Sequence, residues 1–326
     1  MIILNKKTNK DFVVLNLTDV QLSAEEWAEG TTARNIAVHT ISQLIKKTQP
    51  DLITLSGDLA WAGQESAYMA LANFLESFNI PWALIWGNHD NQGGGEFVEQ
   101  MVDKYLACPH CVYERGDESL GNGNYVILIK ENDTPVEAII MMDSHDRFPY
   151  TNEKGETDLH WAKVTPEQIV WYKQQIASLK AQGCADATVM MHIPIYAYRE
   201  ASNEAYKEGI NLQEVSLEQS QNGECWKDGY TDSYGVQYEA ISSYPAEDGM
   251  FSAMKESGIT KHILVGHDHV NNWIIRYQGI CMVYALKTGL GCYWNPILNG
   301  GTVLKINENG VYDVHHEYVD ISDFIK

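Results

Sequence analysis

Apolar positions along this chain fall into short blocks whose spacing alternates between strand-like and helix-like. Phe12–Thr18 is an apolar run that ends at Asp19. Thr32–Thr48 carries Ile36, Ile41, Leu44 and Ile45 at helical spacing, with Pro50 just beyond it. Leu52–Leu55 reads as a buried strand ending in Ser-Gly-Asp, Ser66–Phe78 as a helix, and Trp82–Trp86 as a strand running into Gly-Asn-His-Asp. Val126–Lys130 and Glu137–Met142 are expected to form a strand pair. Thr165–Ala181 predicts a helix, because Thr165 can cap it, Pro166 suits its first turn and Gln168 completes a capping box. Thr188–Met191 and His262–Val265 are further short strands. From Trp273 onward the alternation is that of antiparallel strands: Ile274–Tyr277, Cys281–Tyr284, Thr302–Ile306 and Val311–Tyr318. The pattern predicts one α/β domain over residues 1–326, a two-sheet β-sandwich flanked by helices.

Residues 196–248 break this rhythm. They are rich in Tyr, Glu, Gln, Ser and Gly, with Trp226, Tyr230, Tyr234, Tyr238 and Tyr244 and few aliphatic residues. A long segment of that kind inside a compact domain is expected to be a functional loop or cap. It reads either as a surface flap or as an aromatic lid that packs on an organic leaving group.

Composition narrows the range of partners. Acidic residues outnumber basic ones by 44 to 23, for a net charge of −21. Such a surface repels polyanions, so nucleic acid and anionic membranes are not expected partners. A small phosphorylated substrate remains compatible, because bound cations reverse the local field. No apolar run approaches the roughly 18 residues of a membrane span. The start, MIILNKKTNK, places apolar residues before lysines, the reverse of a secretory signal, and a cytoplasmic location is the expectation. Six cysteines in 326 residues are too sparse for a disulfide scaffold. Cys108 and Cys111 form a CxxC, but the pair follows a helix-like stretch rather than opening a helix, so a structural role is expected. The sequence carries no marker of oligomeric state.

Five short motifs stand at the predicted strand ends: Thr18-Asp19-Val20-Gln21, Ser56-Gly57-Asp58, Gly87-Asn88-His89-Asp90, Met191-His192-Ile193-Pro194 and Gly266-His267-Asp268-His269. Loops after strand C-termini are where α/β folds place ligands. Carboxylates, imidazoles and amide oxygens are together the donor set that a pair of divalent or trivalent ions requires. Each residue alone has an ordinary reading, as a turn former or a hydrogen-bonded histidine. The ordered combination points to a metal centre.

That ordered set resembles the calcineurin-like metallophosphoesterase superfamily, over residues 19 to 269. Met142-Asp143-Ser144-His145, Trp171-Tyr172, Gly266-His267-Asp268-His269-Val270-Asn271 and Lys287-Thr288-Gly289 resemble its purple-acid-phosphatase-like phosphohydrolase branch. The resemblance implies a four-layer αββα fold. It also implies two metal ions (Mn, Fe, Zn or Mg) and phosphomonoester or phosphodiester hydrolysis by a hydroxide bridging them. It implies Asp58 as the bridge, Asp19 and His269 at the first site, and Asn88, His192 and His267 at the second. It further implies His89 as general acid or charge stabiliser, with Asp90 as its orienting partner. His145, following a strand in Asp143-Ser144-His145, reads either as part of the pocket wall, a candidate substrate-binding residue, or as a structural residue.

Two departures from the family pattern concern the first site. Gln21 stands where most members have histidine, and Trp61 stands where purple acid phosphatases have a tyrosine ligand. Indole has only an N–H donor and cannot ligate a metal. Gln21 is expected to coordinate through its carbonyl oxygen or to hold a water, and that site is expected to be the weaker one. No tyrosinate-to-iron colour is expected. The competing reading is a non-catalytic scaffold of the same fold, which Gln21 favours and the otherwise intact donor set opposes.

Overall fold

The computed structural model describes residues 1–325. In chain order the strands are β1 (Ile2–Asn5), β2 (Phe12–Leu17), β3 (Leu52–Ser56), β4 (Trp82–Ile85), β5 (Tyr125–Glu131), β6 (Thr134–Met141), β7 (Arg147–Thr151), β8 (Thr157–Trp161), β9 (Ala187–Met190), β10 (Thr260–Val265), β11 (Ile274–Tyr277), β12 (Ile280–Tyr284), β13 (Gly300–Asn307) and β14 (Gly310–Tyr318). One sheet has the order β14-β13-β2-β3-β4 and a second the order β1-β5-β6-β9-β10-β12-β11, while β7 and β8 form a separate hairpin.

The central strands are buried on both faces, so they read as continuous apolar runs rather than as alternating ones. On β5, Ile127 and Ile129 enter the core shared with the first sheet. Val126 and Leu128 enter a second core with residues of the helices Pro166–Ala181, Ala197–Ala205 and Met250–Ser257. The helices Thr32–Thr48 and Glu65–Glu76 connect the parallel strands β2, β3 and β4 and contribute to the first core. The result is the expected helix–sheet–sheet–helix layering. The Thr165 hydroxyl accepts from Gln168 N, and the Gln168 side chain accepts from Thr165 N, which closes the predicted capping box.

The parallel strands β2, β3 and β4 of one sheet and β6, β9 and β10 of the other carry their C-terminal ends to one edge of the sandwich, whereas β1 and β5 run opposite to β6. Asp19 follows β2, Asp58 follows β3, Asn88 follows β4, His192 follows β9 and His267 follows β10. Among the described residues no helix is long and apolar enough to cross a membrane.

The segment 196–248 is not an open flap. It contains the helix Ala197–Ala205, shorter turns and isolated bridges that tie Tyr234 to Ile274 and Gln237 to Asn271. Trp226 is buried against Tyr206, with ring centroids 4.3 Å apart, inside the second core. That tryptophan therefore cannot act as a lid. Its ring stabilises the segment by leaving water, as a large aromatic does when its N–H finds a partner, here the Ser220 carbonyl.

Candidate metal centre

Asp19, Asp58 and His269 offer ligand atoms that all lie within 4.8 Å of one another, and all three residues are buried. Strained turns carry the two aspartates. Asp19, Gln21, Asp58 and His267 adopt φ of 54°, 43°, 51° and 79°, in the left-handed region that non-glycine residues rarely occupy. Hydrogen bonds hold these turns: Asp19 N donates to Gly57 O at 3.1 Å, and Gln21 N donates to Asp58 O at 3.1 Å. Strain of this kind persists where the surrounding structure over-determines it, as at functional sites. At two glycines there is no room for a side chain. A Cβ on Gly57 would lie 2.5 Å from His192 Nδ1, and one on Gly87 would lie 2.1 Å from Asp58 Oδ1.

The histidine tautomers follow from the outer hydrogen bonds. His192 Nδ1 lies 2.8 Å from Ser56 O, and His269 Nδ1 lies 2.8 Å from Tyr293 O. A carbonyl can only accept, so each Nδ1 carries the proton and each Nε2 presents a lone pair. His192 Nε2 then faces Asn88 Oδ1 at 3.0 Å, Asp58 Oδ2 at 3.3 Å and Asp19 Oδ1 at 4.0 Å. His269 Nε2 faces Asp19 Oδ1 at 3.2 Å. Opposed lone pairs repel, so these contacts require either a second proton on the ring or a cation between the donors. Asp19 Oδ1, His267 Nε2, Asn88 Nδ2 and both amide atoms of Gln21 are buried without a hydrogen-bond partner. Orphans of this sort are rare in folded proteins and mark a missing partner. The donor set thus fits metal ions.

Electrostatics agree. Burial raises the Asp19 and Asp58 carboxyls, but nearby histidines outweigh it, led by His269 for Asp19 and by His192 for Asp58. Asp19 is held well below the usual carboxylate range, and Asp58 is lowered as well. Burial disfavours a charged His192, yet Asp58 and Asp19 push it up to about 10 in the protein alone. A proton there occupies the place that a cation can take. His267 goes the other way: burial, with His192 beside it, pushes it down to about 3, which keeps a neutral ring available as a ligand.

Not every expected role survives. Asp90 does not orient His89. Its carboxylate accepts from Gly87 N at 2.7 Å, Tyr68 Oη at 2.7 Å and Leu59 N at 3.1 Å, so it ties the ends of β3 and β4 together. The reason is local: Asp90 is the third residue of the short helix Asn88–Asn91, where a carboxylate turns back to cap the helix start. His89 Nδ1 pairs instead with Gln92 Oε1 at 3.0 Å, and Trp61 packs edge-on against its ring at 4.7 Å. His145 is committed as well. Its Nε2 bonds Gln168 Oε1 at 3.0 Å and its Nδ1 lies 3.5 Å from Asp143 Oδ2. Both ring nitrogens face protein partners, so this histidine fixes a corner of the wall and aims no free polar atom at a substrate.

Three residues near the centre have no counterpart among the expected roles. Lys287 is 1% exposed and its Nζ donates to Asp19 O at 2.5 Å. Tyr293 stacks on His269 with centroids 4.1 Å apart, and Trp161 packs edge-on against His267 at 4.4 Å. Lys287 lies just past the apolar strand β12, the same strand-end signal that marked the other motifs.

A two-sheet sandwich that gathers carboxylates, imidazoles and amides at its strand ends defines a metallophosphoesterase-type fold with a candidate cation-binding cluster. A family model described as calcineurin-like phosphoesterase matches residues 12–271, and the chain belongs to that family. The chain is 26% identical over 279 residues to probable inactive purple acid phosphatase 14 of Arabidopsis thaliana, covering 78% of this chain and 62% of that one. It is 27% identical over 303 residues to phosphatase DCR2 of Saccharomyces cerevisiae, covering 83% of this chain and 46% of that one. The chain thus spans less than two thirds of the length of these curated relatives. A 5'-nucleotidase precursor from Thermus thermophilus superposes with a TM-score of 0.45 at 12% identity, over 95% of this chain and 54% of that one.

Proposed function

We propose that this chain hydrolyses small phosphoesters with the help of two metal ions, drawn from Mn, Fe, Zn or Mg. The observation that carries the reading is the set of lone pairs turned on one another around His192 Nε2 and Asp19 Oδ1. Asp58 would be shared between the ions. Asp19 and His269 would complete one site, with the orphaned Gln21 amide oxygen beside them. Asn88, His192 and His267 would complete the other. When bound, such ions supply a water of lowered pKa and neutralise charge on phosphoryl oxygens.

The remaining roles belong to this chain's own residues. Ser56 O and Tyr293 O hold the two imidazoles in the tautomer that presents Nε2. His89 N donates to Asp58 Oδ1 at 2.9 Å, which fixes the carboxylate. With Nδ1 held by Gln92, the His89 ring keeps Nε2 to hold or deliver a proton at the leaving oxygen. The net charge of −21 favours a small substrate over a nucleic acid.

A scaffold reading is favoured by one observation, the amide at Gln21 where a stronger ligand is expected. Turnover of p-nitrophenyl phosphate and of its bis ester separates the two readings. The assay uses wild type, His89→Ala and Asp58→Asn with each of the four metals. Metal-dependent turnover that either substitution abolishes supports hydrolysis. A wild type as inert as both variants, on every metal and both esters, overturns it.

A further inference from the structure

Three aromatic side chains from three separate segments each lie against a different histidine of the centre. Trp61, just past the β3 loop, packs on His89; Trp161, at the end of β8, packs on His267; Tyr293 stacks on His269. None of the three is fully buried, and Tyr293 is 44% exposed. They are also held in place. Tyr293 Oη donates to Glu239 Oε2 at 2.8 Å, and the Arg147 guanidinium sits 4.1 Å from the Trp161 ring centroid. Trp61 continues into an open groove of about 530 Å³ that is also lined by Ser23, Glu25, Glu26, Thr31 and Gln64.

Resting on the proposed hydrolysis, we infer that these rings form a collar selecting esters whose leaving group is a planar aromatic carrying no second anionic group. Rigid, partly exposed rings beside a polar reaction centre lose exposed apolar area when a flat group stacks on them. Glu25 and Glu26 beside Trp61, and Glu239 on Tyr293, disfavour a further phosphate on the leaving group. The Arg147 guanidinium over one face of Trp161 adds a cation–π contact that rigidifies this ring. The hairpin β7–β8 that delivers Arg147 and Trp161 is therefore a specificity element rather than part of the hydrolytic core.

Binding of non-hydrolysable phosphonates to the metal-loaded protein, read by calorimetry, tests this. Phenylphosphonate and a nucleoside methylenephosphonate both carry a π face, whereas methylphosphonate does not. Tighter binding by about tenfold for either aromatic probe over methylphosphonate is expected, a factor within the range of a single stacking contact. The tighter of the two identifies an aryl or a nucleoside leaving group. Trp161→Leu and Trp61→Leu should each cut that preference by about threefold or more while methylphosphonate affinity stays within about twofold, and Trp161→Phe should keep the preference. Equal affinity for all three phosphonates in wild type, or a preference unmoved by both leucine variants, overturns the collar and leaves the hydrolase reading standing. Binding of no phosphonate at all overturns both.

Discussion

The buried ammonium of Lys287 donates to the backbone carbonyl of Asp19 at 2.5 Å. Together with the Thr288 N to Thr18 O bond at 3.0 Å, this clamps the turn that holds Asp19 at φ 54°. Burial pushes the lysine down to about 8, and the Asp19 and Asp58 carboxylates support its charged form. Lys287→Met keeps the length of the side chain and removes the donor. It should weaken metal binding by about tenfold, the lower end of what loss of a supporting contact costs. Competition against a chelator reads this directly, and unchanged affinity would show that the turn holds without the clamp.

Both side-chain amide atoms of Gln21 are buried without a hydrogen-bond partner, and its backbone N–H donates to Asp58 O at 3.1 Å. Gln21→His places an imidazole where the amide lies. Binding of the more weakly held of the two ions should tighten by about tenfold, equivalent to 1.4 kcal/mol. The same titration on wild type should show two unequal affinities. Two equal sites in wild type would contradict the asymmetry.

Gly87→Ala should abolish metal binding in a protein that still folds, because its Cβ would fall 2.1 Å from Asp58 Oδ1. Far-ultraviolet circular dichroism checks the fold and elemental analysis checks the metal. An alanine variant with normal metal content would show that the Asp58 loop has slack.

Stability should depend on pH through groups remote from the centre. Burial, with Asp186 beside it, holds Glu137 well above the usual carboxylate range, and burial pushes Asp186 up to about 6. Raised acids contribute stability that is complete below their ordinary pKa of about 4 and is lost as pH climbs through their folded values, about 6 for Asp186 and higher than the usual range for Glu137. His262 and His316 are pushed down to about 4 by burial, so their contribution is present above an ordinary pKa of about 6.5 and is lost as pH falls through about 4. Glu137→Gln mimics the protonated acid. At pH 8 it should raise Tm by about 1–2 °C, the shift that roughly 1 kcal/mol gives at about 2.1 cal/mol/K per residue over a chain of 326 residues, with no gain at pH 4. Thermal melts at the two pH values decide, and an equal shift at both would exclude the acid pair as the cause.

Much of this organisation was legible in the residues, for identifiable reasons. Thr32–Thr48 has the predicted bounds because its apolar positions keep strict helical spacing. The strands β2, β3 and β10 were readable because both of their faces are buried, which leaves unbroken apolar runs. The hairpin β7–β8 was not, since Arg147, Pro149 and Thr157 to Leu159 are exposed and present no apolar face. β1 escaped notice because it forms only through long-range pairing with β5. The aromatic residues of 196–248 suggested a lid, but Trp226 and Tyr206 bury against one another. The segment reaches the rim of the centre through Glu239, which holds Tyr293. The candidate metal ligands were legible as motifs, whereas the role of Asp90 depended on a carboxylate turning back to the backbone, which spacing does not reveal.

The most direct test of the central claim is element-resolved anomalous diffraction from the metal-loaded protein. Two ions about 3.5–4 Å apart, both touching the Asp58 carboxylate, are expected for a two-metal phosphoesterase. One should contact His269 and the other His192 and His267. A cleft that stays empty at saturating metal, or a single ion that does not touch Asp58, would contradict the account.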